Sequence, residues 1–169
     1  MTVLTVNSGS SSVRLAAFAS GPALTRLADR HYAGADTDPE ARLRAFLNEH
    51  GVGHVTLVAH RIVHGGTRLV ASRRIDAEVE AEIARLAPLA PLHNPVALQW
   101  VAACRALFGG SVVQVAVFDT AFYAALPETF VWLWAQTFYR KSCSVPENYS
   151  NMPAFAGRTI SEQISPNFA

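Results

Sequence analysis

The chain has 169 residues and a formal net charge of +1. This length suffices for one domain with a hydrophobic core, and the near-neutral charge gives no reason to expect nucleic acid or an anionic membrane as a partner. No apolar run approaches the roughly 20 residues that span a bilayer, and no basic segment opens the chain as in a secretory signal. We therefore expect a cytoplasmic protein without a membrane partner.

The first predicted elements are strands. Residues 2–6 (TVLTV) form a short apolar run, residues 7–12 (NSGSSS) are polar, and residues 13–18 form a second run. This pattern predicts a β-hairpin, and residues 23–33 predict a third strand. The polar segment then lies at the tip of the hairpin, where its side chains are accessible to a ligand.

Three helices are predicted farther along the chain. Asp38-Pro39 and Asn94-Pro95 each place a capping residue before a proline, a usual start of a helix. Gly51 and Gly109 are suited to end those two helices. Between them, apolar residues at helical spacing over residues 79–86 predict the remaining helix.

Two further apolar runs predict central strands. Residues 55–59 lead directly into a polar segment, and residues 112–118 are apolar except for Gln114. Such runs are typical of strands that are covered on both faces. Strands that alternate with helices after an opening hairpin predict an α/β layered domain.

The hairpin turn, residues 7–12, is the first segment that could carry chemistry. Its backbone N–H groups and serine hydroxyls suit phosphate oxygens, and the side-chain oxygen of Asn7 suits a hydrated Mg²⁺. An ordinary surface turn is the alternative, because turns of serine and glycine are common and no Gly-Lys-Ser/Thr sequence of a Walker motif follows.

Three more segments place polar residues at the ends of predicted elements. Residues 60–66 (HRIVHGG) contain Arg61, whose planar guanidinium suits a carboxylate or phosphate, or alternatively pairs with a structural acid. His93 precedes a helix N-terminus, which favours anions, and a structural role is its alternative. Asp119 follows a central strand, where α/β sheets bind ligands, or else it caps a turn.

Four segments together resemble acetate kinases in their order and spacing. They are residues 6–12 (VNSGSSS), 60–66 (HRIVHGG), 89–95 (LAPLHNP) and 117–122 (VFDTAF). The resemblance implies the α/β fold of the sugar kinase, Hsp70 and actin superfamily, which is ribonuclease H-like. In that fold an N-terminal domain with a mixed sheet and flanking helices forms one wall of a cleft. It also implies the reversible conversion of ATP and acetate to ADP and acetyl phosphate with Mg²⁺, in a family that is typically homodimeric.

Carried over by position, five residues form the acceptor side of this implied site. Arg61 would hold the acetate carboxylate or the transferring phosphoryl group. Val63 and Leu92 would line the small apolar pocket for the acetate methyl group, and His93 would also contact the substrate. Asp119 would be the essential acid that orients acetate and manages charge during transfer.

The nucleotide side implied by the resemblance is smaller. Asn7 would lie beside Mg²⁺, and Ser10, Ser12 and Arg14 would contact the nucleotide phosphates. The family usually has lysine where this chain has Arg14. Arginine keeps the charge but changes the geometry, so we expect a modest effect.

The resemblance stops near residue 130. In acetate kinases the sequence after residues 125–128 (ALPE) leads to an Arg-Tyr-Gly-Phe-His-Gly-Thr-Ser-His motif. This motif is absent here, and all six histidines precede residue 130. We therefore interpret residues 1–130 as an acetate kinase-like N-terminal domain and residues 131–169 as a divergent tail that is not a domain. An out-of-frame or rearranged gene would explain the tail, and a natural short variant is the alternative.

The expected function is that of a truncated acetate kinase whose ligands are a short carboxylate and ATP or ADP. Propionate is the alternative acceptor, because a small apolar pocket does not strongly reject one extra methylene. A non-catalytic remnant that binds carboxylate or phosphate weakly, or that only pairs with another subunit, is the alternative function.

Overall fold

The domain is built on a mixed sheet, as the resemblance implies. The computed structural model describes residues 1–34 and 38–123, and within them the strand order is β3-β2-β1-β4-β6-β5. The strands are β1 (Thr2–Ser8), β2 (Ser12–Ala19), β3 (Thr25–Ala33), β4 (Val55–Ile62), β5 (Arg73–Arg74) and β6 (Val113–Phe118). The first three strands pair antiparallel, β1, β4 and β6 pair parallel, and β5 is antiparallel to β6. The predictions for residues 131–169 lie outside the described residues.

The helices begin close to their predicted starts. They are α1 (Pro39–Glu49), α2 (Ala77–Arg85) and α3 (Asn94–Phe108), and short 3₁₀ turns cover Ala87–Leu89, Gly109–Ser111 and Asp119–Tyr123. Asp38 caps α1 as predicted, because its side chain accepts a hydrogen bond of 3.0 Å from the Ala41 N–H. Asn94 does not cap α3: the N-cap is His93, whose side chain makes no capping bond. The prediction of a cap at Asn94 was therefore wrong, and its side chain has another role.

All three helices pack on one face of the sheet. Near α1, the buried side chains of Leu4 and Val58 meet Phe46 and Trp100 in one apolar cluster. A second cluster joins Ile62 and Phe118 to α2 and α3. Each large apolar side chain removed from water in this way contributes about 1.5–3 kcal/mol.

Strand alternation then fixes which side chains point away from the helices. Val6 of β1 pairs with His60 of β4 on the helix side, so the next residues, Asn7 and Arg61, point to the opposite side. Arg14 of β2 pairs with Asn7 and points the same way. The register thereby places three polar side chains in one row across neighbouring strands, at the end of the sheet where β1, β4 and β6 terminate.

Candidate active site

Arg61 and Asp119 form the centre of the candidate site. Arg61 Nε donates to Asp119 Oδ1 at 2.9 Å and to Oδ2 at 3.0 Å, and Arg61 Nη2 donates to Oδ2 at 2.6 Å. The two side chains meet because Arg61 lies one residue before the end of β4 and Asp119 directly follows the parallel neighbour β6. They are 35% and 30% exposed, so the pair is fixed in geometry but accessible to a ligand.

Asn7 holds the other side of the same guanidinium. Its Oδ1 accepts a hydrogen bond of 3.0 Å from Arg61 Nη1. The guanidinium plane is therefore tied to side chains from two other strand ends, one on β1 and one after β6. Among the acceptor-side and metal-side residues predicted from the sequence, Asn7, Arg61 and Asp119 are directly joined by hydrogen bonds.

His93 lies within electrostatic range of this centre. Burial lowers the pKa of its imidazole, the positive charge of Arg61 lowers it further, and the negative charge of Asp119 opposes both effects. The imidazole therefore favours the neutral form, which can donate or accept a hydrogen bond but adds no charge.

Val63 and Leu92 occupy the two loops that flank the centre. Val63 is half-buried and directly follows β4, whereas Leu92 is 62% exposed and precedes the N-terminus of α3. A large apolar side chain with that exposure, next to His93, is available to contact a small apolar group. The pocket assignment of these two residues stays a prediction.

The loop that carries Val63 is held by two side chains that the sequence did not predict as site residues. Asn94 Oδ1 accepts from the His64 N–H at 3.3 Å, and Asn94 Nδ2 donates to the His64 carbonyl at 3.0 Å. On the other side, Thr120 Oγ1 accepts from the Gly65 N–H at 3.0 Å. Asn94 lies in the motif HNP, directly after His93, and Thr120 lies in the motif FDTAF, directly after Asp119. This adjacency in sequence was the only signal that could have pointed to them.

A buried histidine supports β4 beneath Arg61. His60 Nε2 and Gln114 Oε1 are 2.7 Å apart on the helix side of the sheet, and burial lowers the pKa of His60 to about 4. His60 Nδ1 has no hydrogen-bond partner in the described part of the chain. Burial therefore favours the neutral imidazole, and the hydrogen bond links β4 to β6 just below the site.

Arg14 and the serine hydroxyls of the hairpin turn are not hydrogen-bonded to the Arg61–Asp119–Asn7 centre. Arg14 donates from Nε to Asp29 Oδ2 at 2.9 Å, and its Nη2 donates to the same oxygen. Arg14 is thus directed towards β3, and its hydrogen bond lowers the pKa of Asp29. Neither the Ser10 nor the Ser12 hydroxyl forms a hydrogen bond with another described residue.

The turn itself is closed by the backbone. The Gly9 N–H donates to the Ser12 carbonyl at 2.8 Å, and the Gly34 N–H donates to the Ser11 carbonyl at 2.7 Å. The turn is therefore ordered while its hydroxyls stay available. Within residues 1–34 and 38–123, no group of three or more His, Cys, Asp or Glu side chains could hold a metal ion. No helix in the same ranges is long and apolar enough to cross a membrane.

Comparison with known proteins identifies the family. The model of the acetokinase family matches residues 41–143. The chain belongs to the acetokinase family. The acetate kinase of Streptomyces griseus subsp. griseus is 38% identical, and the alignment covers 75% of this chain and 38% of that protein. The propionate kinase of Edwardsiella piscicida is 41% identical over 77% of this chain and 30% of its own length.

Solved structures of the acetokinase family share the fold. An acetate kinase from Porphyromonas gingivalis superposes with a TM-score of 0.64 at 29% identity, over 76% of this chain and 39% of that one. A propionate kinase from Francisella tularensis superposes with a TM-score of 0.59 at 28% identity, over 76% of this chain and 39% of that one. The chain thus spans about 40% or less of these relatives. The predicted boundary at residue 130 and the site roles stay predictions.

Proposed function

We propose that this domain forms the acceptor side of an acetate kinase, which transfers a phosphoryl group reversibly between ATP and acetate, with propionate as the alternative acceptor. The observation that carries the proposal is the guanidinium of Arg61, fixed by both carboxylate oxygens of Asp119 and by Asn7. This cation stands at the carboxyl ends of parallel strands, where α/β sheets bind their ligands.

The chemistry follows from charge and positioning. A carboxylate nucleophile and a transferring phosphoryl group are both negative, so their approach must be offset by a positive charge held in place. Arg61 supplies that charge, and Asp119 keeps the guanidinium plane in one orientation. His93, whose pKa is lowered, remains neutral near pH 7 and acts as a hydrogen-bonding group beside the acceptor.

The nucleotide side of the proposal rests on Asn7 and on the hairpin turn. Oxygens of Asn7 and Asp119 are of the kind that Mg²⁺ prefers, but both side chains already accept hydrogen bonds from Arg61. These residues therefore fit a hydrated ion carried mainly by nucleotide phosphates, with Asn7 contacting it directly or through water. Bound Mg²⁺ would neutralise phosphate charge, and Ser10, Ser12 and Arg14 would contact the phosphates themselves.

A second candidate is a domain that binds a short carboxylate or phosphate without turning it over, or that only pairs with another subunit. It is favoured by the Arg61–Asp119 pair, which can bind a carboxylate or phosphate whether or not turnover follows. The chain spans 38% of the Streptomyces acetate kinase and 30% of the Edwardsiella propionate kinase. The Gly-Phe-His-Gly segment that the resemblance predicts after residues 125–128 is not in the sequence. For these 169 residues alone we therefore expect acetyl phosphate formation at background level.

Acetate binding by the isotope-labelled chain tests the proposal. We expect NMR signals of the segment around Arg61 to shift on titration with sodium acetate. Arg61→Gln should weaken binding by about 10- to 100-fold, because a hydrogen bond to a charged group contributes about 1.5–3 kcal/mol. Arg44→Gln is the matched control, since Arg44 pairs with Glu40 on the exposed side of α1.

One outcome would contradict the proposal, and a separate one would contradict the prediction of background turnover. Equal acetate affinity in the Arg61→Gln variant and the unmodified chain would remove Arg61 from the acceptor site. The prediction of background turnover has its own test in a coupled acetyl phosphate assay. Turnover by the unmodified chain that Asp119→Asn abolishes would overturn that prediction and favour the complete reaction over the binding-only candidate.

A further inference from the structure

Residues 63–66, here called the pocket loop, are fixed from two sides by side chains that have no assigned role. The loop begins directly after β4, two residues beyond Arg61, and contains Val63. Asn94 holds it from the N-terminus of α3, and Thr120 holds it from the turn that also contains Asp119. The loop is thereby joined to both segments that flank the candidate acceptor site.

Asn94 makes a two-point contact with the backbone of a single residue. Its side-chain amide accepts from the His64 N–H at 3.3 Å and donates to the His64 carbonyl at 3.0 Å, as a paired strand would. The same Nδ2 also lies 3.4 Å from the Ile83 carbonyl of α2. Asn94 is fully buried. Since Leu92 and His93 immediately precede it, Asn94 sets the distance between their loop and Val63.

Thr120 fixes the next peptide of the loop. Its hydroxyl accepts from the Gly65 N–H at 3.0 Å, so the loop cannot move without breaking a bond to the residue beside Asp119. The Cα of Gly65 is also closely packed. A Cβ at this position would lie 2.3 Å from the Leu69 carbonyl oxygen and 2.9 Å from the Phe118 ring.

Within the loop, His64 adds a third restraint. Its Nδ1 accepts from the Gly66 N–H at 2.9 Å, and burial lowers the pKa of the imidazole, which favours the neutral form needed for that bond. Every backbone N–H from His64 to Gly66 is thus donated to a side chain. A loop restrained at three successive N–H groups cannot adjust easily to a larger ligand.

We propose that Asn94 and Thr120 are positioning residues that set the size selectivity of the carboxylate site. The inference rests on the proposed function, because it assumes that Val63 and Leu92 face the methyl group of the acceptor. With the pocket loop fixed, Val63 cannot retreat to admit a longer chain, and each extra methylene meets a rigid wall. With the loop released, the same side chains yield and longer carboxylates bind relatively better.

The experiment compares acetate with butyrate in the full chain. Asn94 is so deeply buried that its replacement could prevent folding, so Thr120→Val is the main variant. Valine matches the shape of threonine but cannot accept from the Gly65 N–H. Thr120→Ser keeps the hydroxyl and serves as the rescue. Asp38→Ala is the matched control, because it also removes one side-chain acceptor of a backbone N–H, at α1.

We expect the butyrate-to-acetate ratio of dissociation constants, measured by NMR titration, to fall about fivefold in Thr120→Val. A change of this size lies within the discrimination that one or two methylenes provide. Thr120→Ser and Asp38→Ala should keep the ratio of the unmodified chain. If Thr120 had a purely structural role, Thr120→Val would lower the melting temperature but leave this ratio unchanged among the folded molecules.

An unchanged ratio in Thr120→Val, with acetate still bound, would overturn the positioning proposal and leave the proposed function intact. A similar fall in Asp38→Ala would also overturn it, since general destabilisation would then explain the effect. Absence of carboxylate binding by the unmodified chain would overturn the proposed function, and the positioning proposal with it.

Discussion

The loops after β4 and β6 and the turn between β1 and β2 are built differently, although both lie at the same end of the sheet. After β4 and β6, Arg61, Asp119 and the backbone of the pocket loop are joined by side-chain hydrogen bonds. In the β1–β2 turn, described bonds run between backbone groups, and the hydroxyls of Ser10 and Ser12 have no partner among the described residues. The side chains after β4 and β6 are therefore held in place before a ligand binds, whereas in the β1–β2 turn only the backbone is held.

This difference matches the ligands proposed for the two regions. A short carboxylate offers few atoms to a protein, so its position must be set by side chains that are already fixed. A nucleotide brings several phosphate charges and its own metal ion, so hydroxyls and N–H groups at an ordered turn can bind it without being fixed beforehand. The comparison therefore predicts that perturbing the two regions has unequal consequences.

Paired glycine substitutions give the largest expected contrast. Gly65→Ala places a Cβ against the Leu69 carbonyl oxygen and the Phe118 ring and should lower the free energy of unfolding by about 3 kcal/mol. Gly9→Ala places its Cβ 3.4 Å from the nearest atom, the Ser12 carbonyl oxygen. This substitution should change the free energy of unfolding by less than about 1 kcal/mol. Urea unfolding of both variants measures this contrast, and equal losses would remove the distinction between the two regions.

A pH titration of stability tests the support beneath Arg61. The pKa of His60 is about 4 in the folded chain and about 6.5 when unfolded, so between these values the unfolded state binds more protons. The free energy of unfolding should therefore fall as the pH decreases from about 6.5 to about 4, by up to about 3 kcal/mol from this residue. The pKa values of His64 and His93 are also lowered in the folded chain, so these residues make the dependence of stability on pH steeper.

The double variant His60→Leu, Gln114→Met isolates this contribution. It replaces both partners of the buried hydrogen bond with apolar side chains of similar size, which leaves no polar atom without a partner. Its stability should depend less steeply on pH over that window, as measured by urea unfolding at several pH values. An unchanged slope would show that His60 does not titrate as a buried neutral group.

Local patterns predicted most of the sheet and all three helices, because apolar periodicity, capping residues and prolines act over a few neighbours. β5 was missed because the two arginines Arg73 and Arg74 carry no strand pattern, and only pairing with β6 makes them a strand. The Arg61–Asp119 pair was predicted as a shared site, but only through resemblance, since 58 residues separate the two in sequence.

Asn94 shows most clearly what local patterns cannot determine. Asn-Pro at a helix start has the chemistry of a cap, and that is how the sequence was interpreted. The side chain instead binds His64, 30 residues earlier, because the end of β4 comes beside the start of α3. A buried amide takes the partners that tertiary packing supplies, and a tertiary partner outweighed the local one here. Thr120 was overlooked for the same reason.

The smallest expected effect concerns Arg14, the cation nearest to the β1–β2 turn in sequence. Arg14 is 55% exposed and donates to Asp29, and a surface pair of this kind contributes little to stability. Asp29→Asn should leave the melting temperature nearly unchanged but release the charge of Arg14 for phosphates. We expect inorganic pyrophosphate, as the probe, to bind about two to five times more tightly at low ionic strength, and the gain to vanish at high salt.

Arg14→Gln combined with Asp29→Asn is the control and should cancel the gain. If Asp29→Asn binds pyrophosphate no better than the unmodified chain, Arg14 does not serve the turn, and the nucleotide side must rely on Asn7 and on the backbone and hydroxyls of residues 9–12.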